Sequence, residues 1–528
     1  MSNIPYTTAD TDFLKNLVAD IDSRGDLIDF TATDFATLRQ ALIDYMKLVY
    51  GEQYQNFSES DLGMMFAELV AYMGSVMSYK ADMLAHEGFI KTAKDRRNVK
   101  KLLELIGVRM RGPAGGAGKA RVIADASLTG ESYGVAAQDR VVTLTSPNDG
   151  GPVNYTLYTN TGGLFDNPQP DGGIVLLSST ADNDDKTVWS NLSLVEGSLA
   201  IDSGTFRDLG IIKEVTLEEG PVVEGSIQVL VDAPGSSASG YYTEVESIYS
   251  ASSNEHRIFS INYDTDYNAT VSFGDGTNGG VPPTNSTYTI YYRVGGGERG
   301  NAPRSFINTT IPTIEGANLT VENTEAITGG TDAETVERAK KYGPLAYKAQ
   351  ERLVSLEDFR TFATRFVGPT GSTAKATASV RKAFSSANVI DVFVVEKANN
   401  LQLQKASVAF KAALLEAMNN KKMLTDELVV VDGLIRTVDL AMTIYVDRFY
   451  RPREVEIIEK AAKAATDFFL ADNREFGERI WLEEINRAVF NTVDEVKISK
   501  IDNISNDIQL NFNEIIQLNN LVINISYV

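Results

Sequence analysis

Two glycine clusters bracket a single strand between residues 273 and 302. The first reads Phe273-Gly274-Asp275-Gly276 and runs on to Pro282 and Pro283. A stretch rich in threonine and tyrosine follows and ends at Tyr291-Tyr292-Arg293-Val294. Then comes Gly295-Gly296-Gly297-Glu298-Arg299-Gly300-Asn301-Ala302. Glycine takes positive φ without steric cost, so each cluster predicts a tight reversal or a close approach of backbones. Residues 295–300 formally match the dinucleotide pattern Gly-x-Gly-x-x-Gly. That pattern needs its last glycine to open a helix whose amides meet a pyrophosphate. Asn301-Ala302-Pro303-Arg304 has no helical periodicity, so the segment is expected to be a turn. Asp275 between glycines likewise suits a turn, where its carboxylate accepts from nearby amides.

Composition narrows the function classes. At 528 residues the chain is too long for one core and predicts three or four domains. Acidic residues outnumber basic ones 71 to 49, giving a formal charge of −22. Nucleic acid is therefore not an expected partner, because phosphate neutralisation needs clustered Lys and Arg. No apolar run reaches the ~18–20 residues of a membrane span, and the polar start predicts no signal peptide. With no cysteine there is no disulfide or thiolate chemistry, and synthesis in a cytoplasm is the simplest expectation. The two histidines, His86 and His256, sit in no recognisable catalytic set. Asp182, Asp184 and Asp185 lack the offsets and closing Glu of a calcium loop. No enzyme activity and no cofactor or metal are expected.

The pattern along the chain is multidomain α+β. Residues 1–112 read as helical, forming a bundle segment. Thr33 and Asp34 can cap a helix with Phe35, Leu38, Leu42, Tyr45 and Val49 on one face. Ser58 and Asp61 have capping-box spacing before a second helix. On it Leu62, Phe66, Leu69, Met73 and Val76 form one seam, and Met65, Tyr72 and Tyr79 a second. Two stripes exceed what one neighbouring helix requires, so a self-contained hairpin and a bundle shared with another chain are both open. A third helix is expected over 92–106, stopped by Gly107. Lys91, Lys94, Arg96, Arg97, Lys100, Lys101, Arg109 and Arg111 form a basic block, read as a solvated face or as a docking surface for an acidic neighbour.

Gly112, Gly115, Gly116 and Gly118 mark a linker. A β-rich middle domain follows over 113–326, with an insert at about 118–210, where 148–170 and 178–186 read as long surface loops or an inserted subdomain. Residues 327–386 read as a helical connector. Thr331 or Asp332 would cap its first helix and Gly343-Pro344 would end it; Ser355 and Asp358 have capping-box spacing for a second. Residues 387–528 alternate strand and helix twice, predicting C-terminal α/β domains.

These motifs together give a family resemblance. Asp61-Leu62-Gly63 leads into a helix with Glu68-Leu69, Tyr79, Asp82 and Phe89. Arg96-Arg97-Asn98-Val99 continues to Leu105-Ile106-Gly107. The Phe-Gly-Asp-Gly segment, the double proline and the Tyr-Arg-Val-Gly-Gly-Gly segment come next. Thr328-Gly329-Gly330-Thr331-Asp332-Ala333-Glu334 and Arg352-Leu353-Val354-Ser355 close the set. In this order the chain resembles the baseplate-J-like proteins, wedge subunits of contractile-tailed bacteriophages, although Leu62 stands where the family often has proline. The resemblance implies a structural virion protein of the tail baseplate, assembled in the host cytoplasm. It implies a second copy, forming a homodimer, and other wedge proteins in a shared helix bundle contacted by Leu62, Met65, Phe66, Leu69, Tyr72, Met73 and Val76. It further implies an inner ring around the central hub and spike, with ring or dimer contacts from residues 387–528. Contacts with sheath-initiating proteins would carry the host-binding signal to sheath contraction. Gly112, Gly115, Gly116, Gly118, Gly329 and Gly330 would serve as hinges. A carbohydrate-binding or carbohydrate-cleaving tail protein is the alternative, built on the β-rich middle with Trp189 as its tryptophan.

Overall fold

The computed structural model describes residues 35–50 and 61–528, apart from 129–131, 162–163, 166–173, 178–179, 182–185, 208–212, 265–266, 315, 351, 382–387 and 400–401. Thr33, Asp34, Ser58, Asp182, Asp184 and Asp185 lie outside the described residues. The fold is multidomain α+β: N-terminal helices, central β-sheets with an inserted subdomain, and a C-terminal mixed α/β region. It divides into two compact units, Met1–Leu102 and Leu103–Val528.

In the first unit α1 (Phe35–Tyr50) packs on α2 (Leu62–Glu87). Asp61 is itself the N-cap of α2, accepting from the Gly63 amide at 3.0 Å, instead of the third residue of a capping box. Small residues set the contact: Gly74 leaves room for Leu38, while Met64, Ala67 and Ala71 are buried. The Arg39–Glu68 ion pair at 2.9 Å ties the helices. A shorter helix, α3 (Arg96–Glu104), spans the division between units. Gly107 at φ +75° ends that turn, letting the Val108 amide reach the Leu103 carbonyl.

The second unit opens with β1 (Ala117–Ala124), β2 (Val141–Thr145), β3 (Pro152–Thr161) and β4 (Thr187–Glu196). Of the two readings of 148–170, the surface loop fails over β3, whose Tyr155 and Leu157 are fully buried; their alternation is a strand signal. Seven strands then form a second sheet: β5 (Ser198–Thr205), β6 (Glu214–Thr216), β7 (Gln228–Asp232), β8 (Gly240–Glu244), β9 (Ile258–Tyr263), β10 (Ala269–Phe273) and β11 (Thr287–Val294). Its order is β6-β10-β9-β8-β7-β11-β5, with β8 and β9 parallel and the other pairs antiparallel. The chain returns to the first sheet through β12 (Asn308–Ile314) and β13 (Ala317–Asn323), whose Val321 pairs with Val122 of β1. Trp189 is buried at the centre of the first sheet's core, edge-on to Tyr133 at 5.6 Å. Phe206, Phe259 and Phe273 anchor the second core.

α4 (Val336–Ala349) starts from Thr335, which accepts from the Arg338 amide, not from Thr331 or Asp332. It also runs through Gly343-Pro344 instead of stopping there. Gly343 faces Leu103, where a side chain would collide, so tertiary packing holds the helix past its local breaker. α5 (Leu356–Arg365) has the expected capping box between Ser355 and Asp358. A third sheet joins β14 (Lys375–Arg381), β15 (Asn388–Lys397), β16 (Leu403–Lys405) and β17 (Asp426–Asp432), with α6 (Val408–Asn419) crossing between the parallel strands β15 and β17. The last sheet has β18 (Leu434–Val446) at its centre, flanked by β19 (Val496–Ile501) and β20 (Glu514–Tyr527). α7 (Glu454–Phe468) and α8 (Leu482–Thr492) cover one face, meeting Leu440, Met442, Ile444 and Val446. Among the described residues no helix is long and apolar enough to cross a membrane.

Candidate functional site

The first candidate is the surface of α2. At 1.5 Å per residue this helix is about 39 Å long and α1 only about 24 Å, so α1 leaves much of it uncovered. Leu62, Met65, Phe66, Leu69, Tyr72 and Met73 are all exposed, with Phe66 at 60% and Leu69 at 53%; Val76 is half-buried. Both sequence stripes therefore face outward, and the hairpin contact uses a third stripe of Met64, Ala67 and Ala71. Val70, Met77, Tyr79, Met83 and Leu84 extend the exposed apolar surface. Large exposed apolar patches are uncommon on monomeric soluble proteins.

Within the second unit, Arg109 and Arg111 leave the expected basic surface block. Arg109 is buried; its guanidinium meets Glu224 at 2.6 Å and also bonds Glu244. Arg111 reaches Glu246 at 2.9 Å and Glu224 at 3.2 Å, and the Gly112 amide donates to Glu224 at 2.8 Å. Burial alone would lower the Arg109 pKa, but the three carboxylates raise it well above its ordinary value. Burial would raise Glu246, yet Arg111, Arg109 and Arg365 pull it down to about 2. The cluster fixes residues 109–112 to the second sheet; the solvated reading fails for these two arginines because they meet carboxylates more than a hundred positions away.

The second glycine cluster lies at a buried junction of the sheets. Gly295, Gly296 and Gly297 all have positive φ and lead into one 3-10 turn, Glu298–Gly300, not into a long helix. Glu196, at the end of β4, accepts from the Gly296 amide at 3.2 Å and the Gly116 amide at 3.3 Å. A β-carbon on Gly300 would collide with this carboxylate. Asn301 exchanges hydrogen bonds with Gly330, accepting at 2.9 Å and donating at 2.8 Å. The Thr328 hydroxyl donates to Glu396 at 2.6 Å, and the Gly329 amide reaches the Lys397 carbonyl of the third sheet. Burial pushes Glu196 up to about 7 and Glu396 up to about 8.

Gly112, Gly115, Gly116, Gly118, Gly329 and Gly330 all belong to this packed region. An added β-carbon would lie 2.7 Å from the Tyr263 ring at Gly112, 2.9 Å from the Glu196 carbonyl at Gly115 and 2.8 Å from the Ala326 carbonyl at Gly118. Gly329 lies against Gly371, and Gly330 against the Gly297 carbonyl. The expected linker is corrected: close packing against neighbouring backbone or side chains accounts for these glycines.

The first glycine cluster sits at the opposite end of β11. Phe273 is buried, and Gly274 allows residues 279 and 280 to fold back across it. The Asp275 carboxylate accepts from the Thr277 and Asn278 amides at 2.8 and 2.7 Å, which lowers its pKa. Lys213 donates to the Pro282 carbonyl and Ser286 to the Pro283 carbonyl, closing the loop. The cluster thus builds a turn. Glu196, Glu224 and Glu396 gave no local sequence signal, being three acids among 71. Among the described residues no group of His, Asp or Glu is placed to hold a metal.

A multidomain α+β chain whose helix α2 exposes apolar side chains is the class these features define. Residues 12–105 match the family model for the bacteriophage baseplate protein, N-terminal domain. This segment is thus similar to baseplate proteins, and the match does not single out the baseplate-J-like family. No curated protein matches the chain. Among solved structures, a chain of the cryo-EM structure of the anti-feeding prophage (AFP) baseplate, 6-fold symmetrised, is 10% identical, with 91% of this chain and 90% of that chain covered and a TM-score of 0.29. A chain of the type VI secretion system TssK-TssF-TssG baseplate subcomplex is 11% identical, with 71% and 96% covered and a TM-score of 0.24. At those scores the baseplate association rests on residues 12–105 alone.

Proposed function

We propose that this protein is a structural wedge subunit of a contractile-tail baseplate, of the baseplate-J-like kind. Its α2 would enter a helix bundle shared with a second copy and other wedge proteins. The supporting observation is the exposed apolar surface of α2, which falls inside the segment similar to baseplate N-terminal domains. Burying one such Leu, Phe or Met side chain is worth about 1.5–3 kcal/mol, so a bundle gains most where α1 leaves α2 bare.

The C-terminal α/β sheets would link wedges into a ring around the hub, and contacts with sheath-initiating proteins would pass on the host-binding signal. Rotation at Gly329-Gly330 would break the Asn301–Gly330 and Thr328–Glu396 bonds. The second unit would therefore transmit force as a body, with its outer interfaces repacking between discrete arrangements. The carbohydrate alternative gains no support from Trp189, which is buried instead of facing a sugar.

The test is co-purification of wedge components with the full chain carrying Leu69→Asp and Met73→Asp. Loss of assembly with the second unit still folded is the expected result. Unchanged assembly would overturn the bundle assignment.

A further inference from the structure

A groove within the second unit joins an apolar floor to a cationic rim. It is lined from α4, α5, α6 and the segment after Gly107, and it encloses about 720 Å³. That size falls in the range of ~300–1,000 Å³ usual for binding sites. Val108 and Leu353 are buried in its lining, and Phe362 and Phe366 are half-buried beside them. Tyr347 of α4 and Tyr249 also line it and are exposed, Tyr249 at 76%.

The described lining residues carry four cations, Arg111, Arg352, Arg365 and Lys421, against the single carboxylate of Glu246. Two of the cations are engaged inside the fold: Arg111 with Glu246 and Glu224, and Arg365 with Glu334 at 3.6 Å. Arg352 is exposed, and among the described residues its guanidinium joins no ion pair or hydrogen bond. Lys421 holds its ammonium 5.4 Å from the centre of the Phe362 ring, so charge and apolar surface lie side by side. The apolar surface also continues past the cavity. The Leu353 amide donates to the Lys421 carbonyl at 3.1 Å, and Leu353 bridges to Lys422 in parallel. Val354 and Met423, next along these two segments, are exposed. A small ligand would leave them bare, whereas a chain segment laid along the groove would cover them.

We propose that this groove docks an acidic segment of a different, partner protein. One large apolar side chain of that segment sits against Leu353, Phe362 and Phe366, and its carboxylates meet Arg352 and Lys421. Charge selects this occupant. A chain of net charge −22 repels acidic segments over most of its surface, whereas the described lining of the groove is net positive. Attraction here and repulsion elsewhere together specify the place of docking. The proposal rests on the baseplate reading only for the existence of a protein partner.

The test selects short peptides from a random display library on the full chain carrying Leu69→Asp and Met73→Asp, which removes two apolar side chains from the exposed face of α2. Enriched peptides are expected to carry one or two large apolar residues among Asp and Glu, and a fluorescent copy should bind more weakly as salt rises. Arg352→Glu with Lys421→Glu should weaken that binding at least tenfold. If this double variant does not fold, Arg352→Glu alone carries the same test. A photo-reactive group beside the apolar residue should cross-link within residues 346–367 or at 417–421. A library without enrichment, enriched peptides that are basic or uncharged, binding indifferent to both charge reversals, or cross-links elsewhere would each overturn the proposal. Octanoate binding in the groove while peptides are refused would make it a small-molecule pocket, which also overturns it. Self-association of the chain that the groove variants abolish would name a second copy as the occupant, with the same consequence. The selection needs no tail component, so its failure is separate from failure of the co-purification that reads assembly through α2.

Discussion

Arg109 is the cation on which three carboxylates of the second sheet's surroundings meet. Glu224, Glu244 and Glu246 all converge on its guanidinium, and Arg111 answers only two of them directly. Arg109→Met should therefore cost about 3–5 kcal/mol in chemical denaturation, because it strands buried carboxylates. Arg109→Lys should rescue little, since one ammonium cannot reproduce the planar fork. The junction glycines make a similar test of packing. Gly300→Ala, which drives a methyl into Glu196, should cost about 1–3 kcal/mol. Gly134→Ala, where an added β-carbon meets nothing within 4 Å, should stay within about 0.5 kcal/mol. Equal effects at Gly300 and Gly134 would refute the close-packing account.

Exposed and buried side chains of α2 should differ in their effect on stability. Leu69 and Met73 are exposed, so Leu69→Asp with Met73→Asp should leave the thermal midpoint of the isolated chain nearly unchanged. Met64 is buried, and Met64→Ala should cost the first unit about 2–5 kcal/mol by opening a cavity. The α2 sequence shows where the helix lies but not which stripe meets α1, because apolar residues occur on every side. Small residues decided it: Ala67, Ala71 and Gly74 let α1 approach, whereas the larger Phe66 and Leu69 would hold it away. At Gly343-Pro344 the local breaker was legible, yet the Leu103 contact across Gly343 prevailed.

For the whole molecule, pH should act on two limbs. Glu196 and Glu396 titrate near 7 and 8 when folded, above the ordinary value of 4.5, so the native state binds more protons between these limits. Their effect is a stability that falls as pH rises from about 4.5 to 8. Glu246 and Glu475 have the opposite displacement. Burial would raise Glu475, but Lys375, Lys341 and Arg360 bring it to about 2. These two contribute stability that is lost as pH drops from about 4.5 towards 2. The thermal midpoint should decline from pH 5 to pH 8.5, and Glu396→Gln should raise it at pH 8.5 while leaving the acid limb in place. A midpoint that stays flat from pH 5 to 8.5 would contradict the burial of both carboxyls.

Local pattern sufficed for the α+β class, the capping box at Ser355, and the turns around Asp275 and Gly297. Each of these depends on residues within a few positions of one another, and backbone sterics act at that range. Folding alone decided that α2 turns its larger apolar side chains outward, and that Arg109 is interior. It also brought Gly116, Glu196, Gly300 and Gly330 to one junction. Those outcomes join positions far apart in the chain, as when the Gly112 amide meets Glu224 112 residues away. No spacing rule selects one carboxylate from 71, so only the packed chain could assign its partner.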